Sequence, residues 1–343
     1  MKFGTTVRNW VCPCSVRKKY VIGALLLLFT LDYFGVFTHL FEIELDKNFR
    51  YPYDGDVTEY VLRIRQGLKP ALPPINYYNY SYLTTAEERC EDGLKLVYLV
   101  KSALENVERR QAIRSTWGFE KRFSDVGIRT FFVLGISDDT KLQAAVQEEY
   151  NKHKDIIQVN FIDSYYNNTI KTMSAFKWAV EHCLNSQFYI FSDDDMFIST
   201  KNVLLFLRNP TKYPEYHVIL YAGYVFVSSP HRHKSSKWFV SLREYPYNYW
   251  PPYVTAGSYV VSKEALIKMY YTSLYTKHFR FDDIYLGLVA LKAGIEPFHC
   301  EEFHFYKKKY NPFNYKYVIS SHGYQNPSEL IKVWNEQKSR GYA

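Results

Sequence analysis

Three consecutive carboxylates, Asp193, Asp194 and Asp195, follow the apolar run Phe188-Tyr189-Ile190-Phe191-Ser192. Adjacent carboxylates repel one another strongly unless a cation offsets them. A hard divalent ion with oxygen ligands does so, and a diphosphate can complete its coordination. An acidic turn in water, or an Asp-rich helix N-terminus, accounts for the same string. The calcium-loop pattern is not met, because no Gly and Glu follow at its offsets. A second acidic pair, Asp282-Asp283, opens a helix-like stretch that runs to Ala293. Such a pair caps a helix or supplies a carboxylate base, and spacing alone does not separate the two. In RRQAIRSTWG, a helix places Arg110 and Arg114 on one face, four residues apart. Two guanidiniums there suit a phosphate, and a solvated helix face suits them equally. Gly257, in Thr255-Ala256-Gly257-Ser258, either lets the backbone approach a ligand closely or sits in a simple turn.

The elements that must position these groups are legible as alternating patterns. Short apolar runs at residues 94–100, 129–134, 155–161 and 188–192 read as strands. Helix-like stretches fall at 107–117, 140–152 and 169–184. Apolar strands alternating with helices predict an α/β fold with a parallel sheet. In such sheets ligands bind beyond the carboxyl ends of the strands. Lys101-Ser102, Asp163 and the aspartate triplet all lie at such ends. Residues 41–89 carry Pro52, Pro70, Pro73 and Pro74 with little periodicity, and read as a stem.

The 343 residues are 47% hydrophobic and 18% aromatic, which excludes a disordered chain. The net charge of +8 is concentrated at one end: Lys2, Arg8, Arg17, Lys18 and Lys19 precede Val21 with no acid among them. No basic block lines a candidate groove elsewhere, so nucleic acid is not an expected partner. The apolar run Val21-Ile22-Gly23-Ala24-Leu25-Leu26-Leu27-Leu28-Phe29 continues past Asp32 to Phe37. Residues 20–38 are about the length of a membrane span. The basic flank keeps the N-terminus cytoplasmic, and the missing small-residue cleavage pattern favours a signal anchor. The expected order is therefore a tail at 1–19, an anchor at 20–38, a lumenal stem at 39–90 and a lumenal catalytic domain at 91–343. The sequons at Asn79 and Asn167 agree with a lumenal body. Cys12 and Cys14 are palmitoylation candidates or plain reduced thiols, and Cys90, Cys183 and Cys300 allow one internal bridge with one thiol left over.

Taken together, RRQAIRSTWG, FVLG, DIIQVNFIDSYYNNTIKT, DDD, PPYVTAGSYVVS and DDIYLG resemble glycosyltransferase family 31, the β1,3-glycosyltransferases, in the family's order. The segments DYFGVFTHL, RHKSSKWFVSLREYP, FRFDDIYLGLVALKAGI and VWNEQKSRGYA resemble a β1,3-N-acetylglucosaminyltransferase branch of it. The resemblance implies a GT-A fold with a Rossmann-like, mostly parallel sheet, a Golgi type II anchor and inversion at the anomeric carbon. It implies a UDP-GlcNAc donor, or a galactose or GalNAc donor as the alternative. The implied acceptor is a β-linked mannose of a mannosyl-glucosyl-ceramide glycolipid, or another glycan. It assigns Asp193, Asp195 and His322 to Mn²⁺ or Mg²⁺, and Asp283 to the base. Arg110, Arg114, Asp163, Lys171, Asp193, Gly257 and Asp282 match donor positions, and Trp250 and Tyr253 match acceptor positions. An unperturbed carboxyl, with a pKa of about 3.9, would leave Asp283 ionised in the Golgi. A non-catalytic sugar-binding protein on the same fold is the alternative from another class. A phosphotransferase finds no P-loop or kinase motif to support it.

Overall fold

The computed structural model describes residues 14–208 and 218–343. Lys2, Arg8 and Cys12 lie outside the described residues. The chain divides into two units.

The smaller unit joins the described residues up to Phe49 with Ser228–Trp250. Its first helix, Cys14–Tyr33, leaves Leu25, Leu26, Leu27, Leu28 and Phe29 exposed at successive positions, hence on every face. The apolar run expected to form one span is interrupted, because Gly35 adopts φ 78° between this helix and a short one at Val36–His39. No helix among the described residues is long and apolar enough to cross a membrane. The returning segment is clasped by buried Arg232, whose Nε lies 2.7 Å from Glu42 Oε1 and whose other nitrogens donate to the carbonyls of Val240, Tyr245 and Tyr247. Asp32, the charge inside the apolar run, pairs with Lys234 at 2.7 Å.

The larger unit, Arg50–Val227 with Pro251–Ala343, carries the sheet. Its strands are β1 (Tyr82–Thr84), β2 (Leu94–Lys101), β3 (Gly127–Ile136), β4 (Ile156–Ile162), β5 (Phe188–Asp193), β6 (Phe197–Ile198), β7 (Tyr221–Phe226), β8 (Tyr253–Ser262), β9 (Phe298–His299), β10 (Phe303–His304) and β11 (Ser320–Ser321). Among the described residues the main sheet runs β1-β4-β3-β2-β5-β8-β7-β9, and β10-β11-β6 form a small second one. The block β4-β3-β2-β5 is parallel, as the alternating pattern predicts. β9 also runs parallel to β7, so four of the seven pairings in this sheet are parallel, as expected, and the other three make it a mixed sheet. β8 runs antiparallel to both β5 and β7, and β1 runs antiparallel to β4.

β2 is buried along nearly its whole length, which fits a strand covered on both faces. The covering helices include Val107–Ser115, Thr140–His153, Asn168–His182 and Asp282–Lys292. Asp139 caps the second of these by accepting from the N–H groups of Lys141 and Leu142.

The stretch read as a stem is not all extended. From Arg50 onward it belongs to this unit, with Tyr51, Val57, Val61 and Tyr78 buried and β1 paired to β4. Its core residues come singly among prolines and tyrosines, so no periodicity marks them in sequence. Cys90 and Cys183 form the one bridge the thiols allow, and Cys300 is free.

Candidate active site

The carboxyl ends of β2, β3, β4 and β5 converge on a cleft of about 450 Å³. Asp163, Lys171, Asp193, Asp194, Asp195 and His322 line it, together with Lys101, Ser102, Asn106 and Arg109. Leu142 and Tyr165 add less polar surface to the lining.

The aspartate triplet straddles the end of β5. Asp193, Asp195 and His322 each offer a ligand atom, all within 4.8 Å of one another. Two carboxylates and an imidazole are a donor set for Mn²⁺ or a similar divalent cation. His322 Nε2 lies 3.3 Å from Asp195 Oδ2. Burial pushes Asp193 up to about 6, with Lys101 pulling it down and Asp282 and Asp195 adding to the rise. Burial also raises Asp195, against the pull of His322. These residues therefore fit a divalent cation, which would relieve both carboxylates. Asp194 lines the cleft outside this ligand group. It accepts from Ser102 Oγ at 2.7 Å, Asn106 Nδ2 at 2.9 Å and Arg109 Nη1 at 2.9 Å.

Lys101 links this cluster to the second acidic pair. Its Nζ lies 3.1 Å from Asp193 Oδ1 and 2.6 Å from Asp282 Oδ2. Burial works against the ammonium, yet the two carboxylates hold its pKa above the ordinary lysine value. Asp282 also accepts from Thr172 Oγ1 at 2.9 Å. Burial alone would raise its pKa, and Lys101 with Thr172 brings it below the usual carboxylate range.

Asp283 lacks such support. The hydrogen bond it receives, among the described residues, comes from the Ile284 N–H at 2.8 Å. Burial and the neighbouring Asp282 charge push its carboxyl up to about 7. The ordinary carboxylate value expected from sequence is thereby corrected. The N-cap position of this helix is Phe281, so neither aspartate is the cap.

The donor positions separate into two groups. Asp163 and Lys171 face the cleft as an ion pair at 2.7 Å, and Lys171 also donates to the Ser102 carbonyl. Asp163 further accepts the Gly135 N–H. A Cβ on Gly135 would meet the Phe161 carbonyl at 2.7 Å, so only glycine allows β3 and β4 to close over this aspartate. Arg110 and Arg114 do not line the cleft. Arg110 is fully buried, forked onto Glu149, and donates to the carbonyls of Ala103 and Leu104. Arg114 is forked onto Asp155. Their shared face meets internal carboxylates, which brace the loop after β2.

Gly257 lies inside β8, not in a turn, and a Cβ there would stand 3.7 Å from His322 and 3.4 Å from Met196. Tyr253 opens β8 in the same unit. Trp250 belongs to the smaller unit, where it is buried against Tyr245 at 4.1 Å. Asn79 is exposed. Asn167 is half-buried, and its amide donates to the Ile162 carbonyl at 2.7 Å.

The sequence reading did not count Lys101, Ser102, Asn106, Arg109 or Thr172 as site residues. Lys101 and Ser102 had a signal in the strand end at which they stand, and the lysine a second one, since a buried ammonium needs carboxylates.

A cation site linked through Lys101 to an acidic pair, one of whose carboxyls is raised, suits transfer from a diphosphate donor to a hydroxyl. The galactosyltransferase family profile matches residues 108–301, and the chain belongs to that family. It is a UDP-sugar-dependent glycosyltransferase. The chain is 44% identical, over 337 residues, to the Drosophila melanogaster β1,3-galactosyltransferase brn, covering 96% of this chain and 99% of that one. It is 33% identical over 268 residues to β1,3-galactosyltransferase 1 of Mus musculus, covering 78% of this chain and 81% of that one. Among solved structures, the galactosyltransferase LgtC in complex with donor and acceptor sugar analogues matches with a TM-score of 0.38 at 13% identity, over 73% of this chain and 100% of that one. At that score the likeness carries no argument.

Proposed function

We propose that the chain transfers GlcNAc from UDP-GlcNAc, with inversion, to the 3-hydroxyl of a β-linked mannose on a mannosyl-glucosyl-ceramide or related glycan, on a GT-A fold. The observation that carries the reaction type is the contrast at the cleft. A cation-type cluster of Asp193, Asp195 and His322 stands one lysine away from the Asp282-Asp283 pair.

Asp193, Asp195 and His322 would hold a divalent cation, which would supply Lewis-acid neutralisation of the departing diphosphate. Lys171 and Arg109 add fixed positive charge at the same cleft. Asp283 accepts the proton of the acceptor hydroxyl as its oxygen attacks C1. The C1–O bond to the diphosphate breaks with its electron pair leaving on UDP. One displacement converts an α-linked donor into a β-glycoside, so no side-chain nucleophile is needed. A pKa of about 7 places Asp283 where a general base is efficient near neutral pH.

GlcNAc as the sugar rests on the branch-specific segments. Galactose is the second reading, favoured by the names of the relatives. Incubation with UDP-GlcNAc, UDP-Gal and UDP-GalNAc against simple β-glycosides, with linkage analysis, decides between them. A β1,3-galactoside as the sole product would overturn the GlcNAc assignment. We further propose that the apolar residues 20–38 anchor the chain in the Golgi membrane with a lumenal body. Its support is the basic flank and the apolar surface on every face. Protease added to sealed vesicles should spare the body, and digestion there would remove this topology.

A further inference from the structure

The larger unit carries a half-exposed cluster of rings that is not part of the cleft lining. Tyr224 and Phe226, at the end of β7, have ring centroids 5.2 Å apart. Phe305, just after β10, lies 4.7 Å from each of them. Tyr306 stands edge-on to Phe305 at 5.1 Å, and Phe226 stacks on Tyr253 at 6.1 Å. Phe305 is 38% exposed and Tyr306 50%, so the rings form a wall open to solvent.

Two contacts tie this wall to the chemistry. A Cβ on Gly287 would lie 2.7 Å from the Tyr253 Cβ, and Gly287 sits one helical turn beyond Asp283 on the same face. At the other end, Phe305 follows His304, whose carbonyl accepts the N–H of His322 at 3.1 Å. One edge of the wall therefore touches the helix that carries Asp283, and the other follows directly on the residue whose carbonyl holds the His322 backbone.

We propose that this wall is a second acceptor subsite, which stacks the sugar ring next to the one being glycosylated. The inference rests on the proposed transfer to a saccharide acceptor and names how that acceptor is held. The C–H face of a pyranose carries weakly positive hydrogens, which suit the negative face of an aromatic ring. The tyrosine hydroxyls, and His299 at 4.9 Å from Tyr224, supply polar groups for the sugar's own hydroxyls. A lipid chain would call for an aliphatic groove instead. Binding energy gained on this remote ring holds the reacting hydroxyl at Asp283.

The test compares methyl β-mannoside with the disaccharide Manβ1,4Glc, using the full chain in detergent. The wild type should show a lower KM for the disaccharide. Phe305→Ala and Tyr306→Ala should raise that KM by about tenfold, with the KM for the monosaccharide and the UDP affinity changed less than about twofold. Phe305→Leu keeps apolar volume without a ring face and should match Phe305→Ala, whereas Phe305→Trp should restore the wild-type value. An equal rise for both acceptors, or no change for either, would overturn the subsite. Failure of the wild type to use either mannoside would instead sink the mannose reading. The same variants then judge the wall with whichever glycoside and disaccharide extension the acceptor panel returns.

Discussion

The two acidic stretches of this chain, Asp193–Asp195 and Asp282–Asp283, are built from the same residue at adjacent positions, yet neighbouring aspartates meet different fates. At the end of β5 the outer two carboxylates meet His322, while the middle one is tied down by Ser102, Asn106 and Arg109. At the helix start the first carboxylate is neutralised by Lys101 and Thr172, and the second keeps a raised pKa. Partners supplied by other elements, and not residue type, sort five aspartates into ligands, scaffold, ion-pair partner and base. A carboxylate acquires a raised pKa where burial and neighbouring like charge outweigh its donors.

The largest expected effect bears on the first stretch. Chelation should abolish transfer, and Mn²⁺ or Mg²⁺ should restore it. Asp195→Ala should lower turnover at least about 10³-fold and remove metal-dependent UDP binding, given the several kcal/mol that a Lewis acid contributes. Full activity in EDTA would break the contrast at its root.

Next comes the second stretch. Asp283→Asn keeps the shape of the side chain but cannot accept a proton. Turnover should fall at least about 10²-fold, with UDP affinity and melting temperature nearly unchanged. Asp282→Asn should reduce turnover less, since its task is to hold Lys101 and the helix start. Near-normal turnover in the Asp283 variant would pass the base assignment to Asp282.

The pH response sharpens the same point. Asp283 works when ionised, so turnover should rise with pH through about 7. Its folded pKa lies above its unfolded value, so the native state holds a proton that the unfolded chain has already lost. Stability contributed by this group is therefore present at low pH and declines as pH rises from about 4 towards 7. Asp283→Asn should flatten that decline in denaturant titrations at several pH values. A wild-type profile rising in the ordinary carboxylate range would contradict the raised pKa.

The smallest effect on chemistry belongs to Asp194. Asp194→Ala leaves Ser102, Asn106 and Arg109 without their shared acceptor, which should cost about 1–3 kcal/mol of stability. Metal dependence should persist, as urea unfolding beside activity titrations with Mn²⁺ would check. Loss of metal binding without loss of stability would instead make Asp194 a ligand.

Much of this arrangement was legible before any coordinates. The parallel strands β2 and β5 are nearly continuous apolar runs because both faces are covered, and β3 and β4 carry shorter apolar stretches, so length and apolar character reveal them. The triplet and the pair announced themselves because like charges placed side by side need an explanation. The arginines did not declare their partners. The four-residue spacing of Arg110 and Arg114 fixes a shared helix face, but Glu149 and Asp155, which occupy that face, arrive from the next helix and just before β4. Residues 50–89 hid their contribution for a related reason: isolated buried tyrosines and valines among prolines have no period to read.

The sequence by itself determined the apolar parallel strands, the two acidic stretches, the single possible bridge among the three later cysteines, and the concentration of charge before the first helix. These depend on composition and on neighbours along the chain. The tertiary structure alone decided that Asp193, Asp195 and His322 share one locus, that Lys101 joins the two acidic stretches, and that Asp283 is left with a raised pKa. Those outcomes depend on distances between residues far apart in sequence and on the water that burial removes. Local pattern encodes neither quantity.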